Sequence, residues 1–308
     1  SINPAAQTLF GTDRSCIGRD FLAVDRRSDI SAAVDAALTQ GHAQLRQQRQ
    51  GREYQIDLSR IDSGGEVFGA VLLAFDVTEQ AEAERMRREF TANGSHELKT
   101  PLQSIIGSVE LLENDLVQPE DRPRFLGRIH QEAQRLVSLI NDILGLSQLD
   151  EGAAMPRESV SLLSLAQEAA ASLSAAAQAQ NVTLTVNGTA GTLTGVRRLL
   201  SETVRNLCEN AVKYNVPGGS ITVTVAETPR AVTLTVADTG IGIPPADQSR
   251  VFERFYRVDK SHSRAIGGTG LGLSIVKHAV AYHHGTVQLD STPGQGTVIT
   301  VTLPRDAA

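Results

Sequence analysis

Two long stretches of the chain place apolar residues at alternating spacings of four and three, and this limits the fold more than any other feature. The first runs from near Thr78 to about Leu116, with Leu98, Leu102, Ile105, Val109, Leu112 and Leu116 on one line. The second carries Leu126, Ile129, Ala133, Leu136, Ile140, Ile143 and Ser147 and ends near Asp150-Glu151-Gly152. Such spacing marks amphipathic helices that form a bundle seam. Between them Gln118-Pro119-Glu120-Asp121-Arg122-Pro123 breaks the helix, because proline lacks the amide donor and crowds the preceding turn. Two antiparallel helices cannot bury both stripes alone, so the pattern predicts a homodimer whose paired hairpins form a four-helix bundle.

The first helix carries Ser95-His96-Glu97-Leu98-Lys99-Thr100-Pro101-Leu102 at its middle. At about 100° per residue, His96 and Thr100 fall on the side away from the seam. Pro101 removes one backbone donor and favours a local bend. An arbitrary His-Glu pair is ordinary helix surface, but this motif is longer than a pair. His96-Glu97-Leu98-Lys99-Thr100-Pro101-Leu102, preceded by Phe90-Thr91-Ala92-Asn93, resembles the phosphoacceptor box of sensor histidine kinases. Gly94 departs from it, standing where that family carries an aliphatic residue. A mid-helix glycine costs about 1 kcal/mol against alanine, so a looser turn before His96 is expected.

At 308 residues the chain has room for two or three domains. Its 41% hydrophobic and 21% charged content is that of a soluble globular protein. The formal net charge of −6 argues against a nucleic-acid surface. Arg85, Arg87 and Arg88 lie amid Glu82, Glu84 and Glu89 and read as an ion-paired helix face. Cys16 and Cys208 are far apart and fit reduced thiols, with no zinc spacing. No run approaches about 18 apolar residues, and no signal peptide is present. The opening Ser1-Ile2-Asn3-Pro4 lacks an initiator Met, and an excised piece of a longer protein is expected.

Residues 1–78 read as a small mixed α/β module. Gln44–Gln50 is a polar stretch expected at the surface, and Arg52–Ile61 alternates as a strand. Ser63-Gly64-Gly65 is a turn, and Val67–Phe75 is apolar enough to predict a strand buried on most sides. Asn3-Pro4-Ala5-Ala6 with Phe10-Gly11, Ile17-Gly18 and the closing Asp76-Val77-Thr78-Glu79 resemble a PAS sensor domain. Its lone His42 is expected at the surface, since metal and haem ligands come with supporting partners. Asp76 or Thr78 caps the next helix, whose Ala83, Met86 and Phe90 carry the stripe into the seam.

From about residue 153 the pattern changes. Helices over Leu162–Ala177 and Val196–Tyr214 alternate with strands at Val182–Val186, Ile221–Val225, Val232–Val236, Thr286–Leu289 and Thr297–Leu303, which predicts an α/β sandwich. Three motifs lie on it. Asn206, Asn210 and Lys213 are spaced four and three and share one helix face; amide oxygens can ligate Mg²⁺ and a lysine can meet phosphate. Asp238-Thr239-Gly240-Ile241-Gly242 follows a strand, where glycine lets backbone approach a flat ligand and a carboxylate can accept from an exocyclic amine. Gly267-Gly268-Thr269-Gly270-Leu271-Gly272-Leu273 feeds a helix at Ser274–Tyr282 and has the character of a phosphate cradle. It is neither a Rossmann fingerprint nor a Walker loop.

These motifs in this order, with Phe252-Glu253-Arg254-Phe255-Tyr256-Arg257 between the second and third, resemble the ATP-binding domain of histidine kinases, of GHKL type. The resemblance implies a multidomain α+β chain: a PAS-like module at 1–78, a dimerising phosphoacceptor hairpin at 79–152 and an ATP-binding α/β sandwich at 153–308. It implies His96 as phosphoacceptor, Glu97 as its base or orienting group, and Thr100 as a water-placing residue for dephosphorylation. By matched position, Asn210 would ligate Mg²⁺ with Asn206 nearby, Lys213 and Arg257 would face the phosphates of ATP, and Tyr214 would close that motif. Asp238 would read adenine beside Gly240 and Gly242, while Gly268, Gly270, Gly272 and Leu273 would form the lid. Gly195-Val196-Arg197-Arg198-Leu199 lacks an Asp common before Arg-Leu, which is expected to affect packing. The implied partner is a response regulator receiver domain, and the implied location is cytoplasmic, with any membrane anchor outside this sequence. A non-catalytic scaffold and a kinase fold acting mainly as a phosphatase are the competing readings.

Overall fold

The structure, a computed structural model, describes residues 1–150, 154–258 and 268–305. Its contacts divide into two units, Ser1–Glu89 and Phe90–Ala308.

In the first unit the Asn3 side chain accepts from the Ala6 amide at 2.7 Å and caps α1 (Pro4–Phe10). After α2 (Ser28–Gln40) come β1 (His42–Arg49), β2 (Arg52–Ser63) and β3 (Glu66–Asp76), an antiparallel sheet in the order β1-β2-β3. Ile30, Ala33 and Ala37 of α2 pack on Ile56 and Leu58, with Leu72 and Ala74 joining from β3.

Two expectations fail here. Gln44–Gln50 is mostly the strand β1 and is not merely surface: Gln47 and Arg49 are buried on the face shared with Ala43 and Leu45. They can be buried because each finds a partner. Arg49 pairs with Asp25 and lies 4.5 Å from the Phe10 ring centroid, and Gln47 donates to Asp29 at 2.7 Å. Val67–Phe75, expected to be covered on most sides, is an edge strand with one covered face. Leu72 and Ala74 point inward, while Phe68 is 80% exposed and Leu73 and Phe75 are about half exposed.

Asp76 accepts from the Thr78 amide and hydroxyl at the start of α3 (Thr78–Glu113). That helix continues through Pro101, and α4 (Arg122–Asp150) returns after the break. Their partly buried seam leaves Leu102, Ile106, Leu126, Val137, Ile140 and Leu144 exposed.

The remaining elements of the second unit are β4 (Glu158–Ser161), α5 (Leu162–Ala179), β5 (Thr183–Gly188), β6 (Thr192–Gly195), α6 (Arg197–Lys213), β7 (Ser220–Glu227), β8 (Ala231–Asp238), α7 (Pro245–Gln248), α8 (Gly272–Tyr282), β9 (Thr286–Thr292) and β10 (Gly296–Pro304). The main sheet runs β5-β7-β8-β10-β9, antiparallel except for the β5–β7 pair. Leu165 of α5, Leu207 and Cys208 of α6 and Val276 of α8 pack on Ile221, Leu234 and Val301 of the strands, so the domain is a two-layer sandwich. Burial raises the Cys208 thiol to about 12, which keeps it protonated. The short pair β4–β6 has no counterpart in the sequence reading. At the departure around Gly195, the Val196 amide donates to Nε2 of buried His283 at 2.9 Å, and Nδ1 faces the Ala279 carbonyl at 2.7 Å. That position therefore serves packing, tying the start of α6 to the end of α8.

Candidate active site

Helix α3 presents His96 to solvent, and the Thr100 hydroxyl donates to the His96 carbonyl at 3.2 Å. Glu97 is partly buried and pairs at 3.7 Å with Arg135 of α4. Gly94 does not stand in a loosened turn. It is buried, and a Cβ there would lie 3.6 Å from Cζ of Phe255 and 3.8 Å from Ile143. These are ordinary van der Waals distances, and they mark the close approach of the Phe255 segment to α3.

That approach builds a mixed junction. Leu139 and Leu146 of α4 and Leu271 and Ile275 of the C-terminal domain are buried together, flanked by Phe90, Leu98, Ile143 and Phe255. The Phe90 and Phe255 rings lie 5.6 Å apart, and Arg254 sits 5.1 Å over Phe90 while donating to Asp150 at 2.6 Å. The Thr269 hydroxyl donates to Asp142 at 3.1 Å. Burial pushes the Asp142 carboxyl up to about 6 against that hydrogen bond.

The second group of expected residues is set by α6. Its buried face carries Leu200, Val204, Leu207 and Ala211, which leaves Asn206, Asn210 and Lys213 partly buried along one flank. Asn206 Nδ2 is buried and has no hydrogen-bond partner among the described residues. Lys213 is half-buried; burial, then the nearby Arg257 and Arg135, bring its ammonium down to about 8. Its Nζ lies 5.2 Å from the Tyr214 ring centroid, and burial raises the Tyr214 hydroxyl. A Cβ at Gly268 would stand 2.4 Å from that Nζ, so the lid backbone closes directly on the lysine.

Asp238 ends β8. Burial raises its carboxyl even though Oδ1 accepts from the Gly240 amide at 2.8 Å and the Thr297 amide at 3.2 Å. Gly242 has φ +68°, and a Cβ there would meet the Thr292 carbonyl at 2.2 Å, so only glycine suits this turn. The Ile241 amide donates to the Tyr214 carbonyl at 3.1 Å, and Gly240 also lies against that carbonyl, which joins this turn to the end of α6. Gly270 accepts from the Phe255 amide at 2.9 Å; Gly272 opens α8 beside Asn206, and Leu273 packs on the sheet core. Gly267 lies outside the described residues.

The expected residues thus form two groups. Asn206, Asn210, Lys213, Tyr214, Asp238, Gly240, Gly242 and the lid glycines gather around the end of α6, and His96 stands apart on the bundle. Arg257 links them, because it neighbours Lys213 and lines a cavity with Glu97 and Thr100. A buried amide with no partner among the described residues, beside the desolvated Lys213 ammonium, fits a polyphosphate with a hard cation. Among the described residues no cluster of three His, Cys, Asp or Glu could hold a metal; the amide oxygens of Asn206 and Asn210 are neutral donors of the kind that Mg²⁺ accepts.

Residues 86–152 match the model of the His Kinase A (phospho-acceptor) domain, and residues 195–307 match that of the histidine kinase-, DNA gyrase B- and HSP90-like ATPases. The chain belongs to the sensor histidine kinases. It is 38% identical over 241 residues to the sensor-like histidine kinase SenX3 of Mycolicibacterium smegmatis, covering 76% of this chain and 62% of that protein. It is 37% identical over 254 residues to the sensor histidine kinase WalK of Bacillus subtilis, covering 78% of this chain and 40% of that protein. The chain therefore spans 40% to 62% of the length of these curated relatives. A solved structure of full-length ShkA in complex with AMPPNP aligns with TM-score 0.53 and 27% identity, over 72% of this chain and 46% of that one.

Sequence reasoning missed Arg135, Asp142 and the Arg254–Asp150 pair in this sensor kinase. Arg135 and Asp142 are charged residues among many on α4, and each of the missed residues is distinguished only by a partner distant in sequence: Glu97 for Arg135, Thr269 for Asp142 and Arg254 for Asp150.

Lys213 supplies a pH prediction. Its ammonium loses its proton near pH 8 in the free protein. A bound polyphosphate favours the charged form and raises that value, so binding takes up a proton. Affinity should fall as pH rises through about 8 and level off above the bound-state value. Titration calorimetry at pH 8 in two buffers of different ionisation enthalpy should show uptake of about half a proton, and Lys213→Arg should abolish it because guanidinium does not titrate. Equal apparent enthalpies in both buffers for the unmodified protein would count against this.

Proposed function

We propose that the chain is an ATP-dependent protein histidine kinase that phosphorylates its own His96 and passes the phosphoryl group to an Asp of a response regulator receiver domain. The observation that carries this reading is the placement of Arg257, which stands against Lys213 of the nucleotide half and in one cavity with Glu97 and Thr100 beside the phosphoacceptor. The AMPPNP complex of ShkA supports nucleotide binding.

An unprotonated ring nitrogen of His96 attacks the γ-phosphorus in line; the bond to the bridging oxygen breaks and ADP leaves. Glu97 orients the imidazole and accepts its second N–H proton. Lys213 and Arg257 face the phosphates and offset charge spreading over the transferred group. Asn210, with Asn206 nearby, holds Mg²⁺, which when bound neutralises phosphate charge. Both amides on the Asp238 carboxylate fall on Oδ1, which leaves Oδ2 for the adenine amine beside Gly240 and Gly242. Gly268, Gly270, Gly272 and Leu273 cover the phosphates, with Tyr214 beneath.

Residues 1–78 act as a PAS-like sensing module, a reading supported by the antiparallel sheet with α2 packed on one face. Residues 79–152 are the dimerising hairpin and 153–308 the ATP-binding domain. The exposed Leu102, Ile106, Leu126, Val137, Ile140 and Leu144 support a homodimer. No helix among the described residues is long and apolar enough to cross a membrane; family membership supports a cytoplasmic site, with any anchor outside this sequence. Transfer of label from the phosphorylated chain to a receiver domain, and its loss when the acceptor Asp becomes Asn, tests the partner assignment.

Thr100 serves the reverse task of dephosphorylating the regulator. Its hydroxyl rests on the His96 carbonyl, and a χ1 rotation turns it toward a water held near the imidazole. Thr100→Ala should lower phosphatase activity about tenfold to a hundredfold, the loss of one positioning hydrogen bond, and leave the autophosphorylation rate within about twofold. Both rates measured on one preparation decide this, and an equal fall in the two removes the separate role.

A further inference from the structure

Asp238 stands directly opposite Thr297 in the β8–β10 register, and Thr297 stands directly opposite Ser291 in the β10–β9 register. Residues paired in this way share one face of a sheet. It is the face of Ile221, which lies opposite Asp238 on β7 and is buried in the core beneath the helices. Asp238, Thr297 and Ser291 therefore form a row across the sheet on its helical side. Thr297 is buried, and its amide donates to Asp238 Oδ1 at 3.2 Å.

A serine hydroxyl has one proton to give and two lone pairs with which to receive. Ser291 Oγ lies 2.8 Å from the Ile243 amide, 3.0 Å from the Gly296 carbonyl and 2.9 Å from the Thr297 hydroxyl. An amide only donates and a carbonyl only accepts, so Ser291 receives from Ile243 and gives its proton to Gly296. The third contact is then satisfied only with Thr297 as the donor. That leaves the Thr297 oxygen with lone pairs alone, beside a carboxylate whose Oδ2 carries neither of the two amides.

A carboxylate does not by itself choose between purines, because it accepts from the exocyclic amine of adenine or from the ring N1–H of guanine. The second group at the base edge decides. A hydroxyl with a free proton would donate to the guanine carbonyl, whereas an oxygen that can only accept repels it. We propose that Ser291 is a positioning residue for base selection: by taking the Thr297 proton it leaves Thr297 and Asp238 as a pair of acceptors that admits an adenine nucleotide and rejects a guanine one. This rests on the reading of Asp238 as the base-binding carboxylate. The same hydroxyl also anchors the Asp238–Gly242 turn through Ile243, and Gln248 helps by donating to the Ile243 carbonyl at 2.9 Å and the Ser291 carbonyl at 2.7 Å. Anchoring serves every nucleotide alike; the direction of the Thr297 proton does not.

The test is calorimetric titration of the full chain with ADP and with GDP, each with Mg²⁺, read as the ratio of the two dissociation constants. The unmodified protein should favour ADP by about a hundredfold or more. Ser291→Ala frees the Thr297 proton to turn to the base, and the ratio should fall about tenfold or more. Thr297→Val removes the repelling oxygen and should also lower it, while Ser291→Thr keeps a hydroxyl and should preserve it. Equal weakening of both nucleotides in Ser291→Ala, with the ratio unchanged, makes Ser291 a purely structural anchor and overturns the proposal. If Ser291→Ala melts without a cooperative transition, the other two variants carry the test, and a ratio unchanged in Thr297→Val or lost in Ser291→Thr overturns it. Binding of both nucleotides by the unmodified chain with equal affinity counts against base selection alone. Binding of neither counts against the nucleotide reading itself, and base selection falls with it.

Discussion

Asn210→Asp lowers the affinity for a Mg²⁺-bound ATP analogue by on the order of a hundredfold, an expected cost of about 2–3 kcal/mol. Size hardly changes, so the effect is electrostatic. Asn210 lies on the flank of the buried face of α6, one turn before Lys213, whose ammonium is already desolvated and beside Arg257. A carboxylate at 210 pairs with that lysine at i,i+3 and repels the phosphates that the two cations would meet. The buried face of α6 is untouched, so the melting midpoint should hold. Titration with and without Mg²⁺ separates the contributions, because the added charge attracts the free cation but not the nucleotide. An affinity within about twofold of the unmodified protein would make Asn210 an ordinary surface residue.

The other large effect is at the acceptor. His96→Gln should abolish label transfer from γ-labelled ATP while nucleotide affinity stays within about twofold. His96 is exposed on α3, outside the residues gathered at the end of α6. Glutamine keeps a polar side chain on an exposed helix position at little conformational cost. The substitution therefore removes a nucleophile and leaves packing and nucleotide contacts as they are. Equal losses of binding and labelling would mean that His96 supports the nucleotide site instead of receiving phosphate.

Much of this was legible before any coordinates. The long helices, α6 and the strands of the main sheet all announce themselves by periodicity, because each buries one face and leaves the other wet. The expected nucleotide residues come together because they sit on one helix face or at strand ends. What failed depends on partners distant in sequence. Gln47 and Arg49 look like surface residues until Asp25 and Asp29 are seen to receive them. The run from Val67 to Phe75 looks buried, yet the sheet covers only one of its faces. Gly94 reads as a flaw in the helix until Phe255 is found against it. Arg135, which holds Glu97, carries no local signal at all.

The most direct measurement is the chemistry and position of the label on the unmodified chain after incubation with Mg²⁺ and γ-labelled ATP. A phosphohistidine survives alkali and is lost in acid, so the account predicts acid-labile, alkali-stable label that maps by mass spectrometry to the peptide bearing His96 and moves to a receiver domain when one is added. Acid-stable label, label mapped to another residue, or no label from a chain that still binds the nucleotide would contradict it.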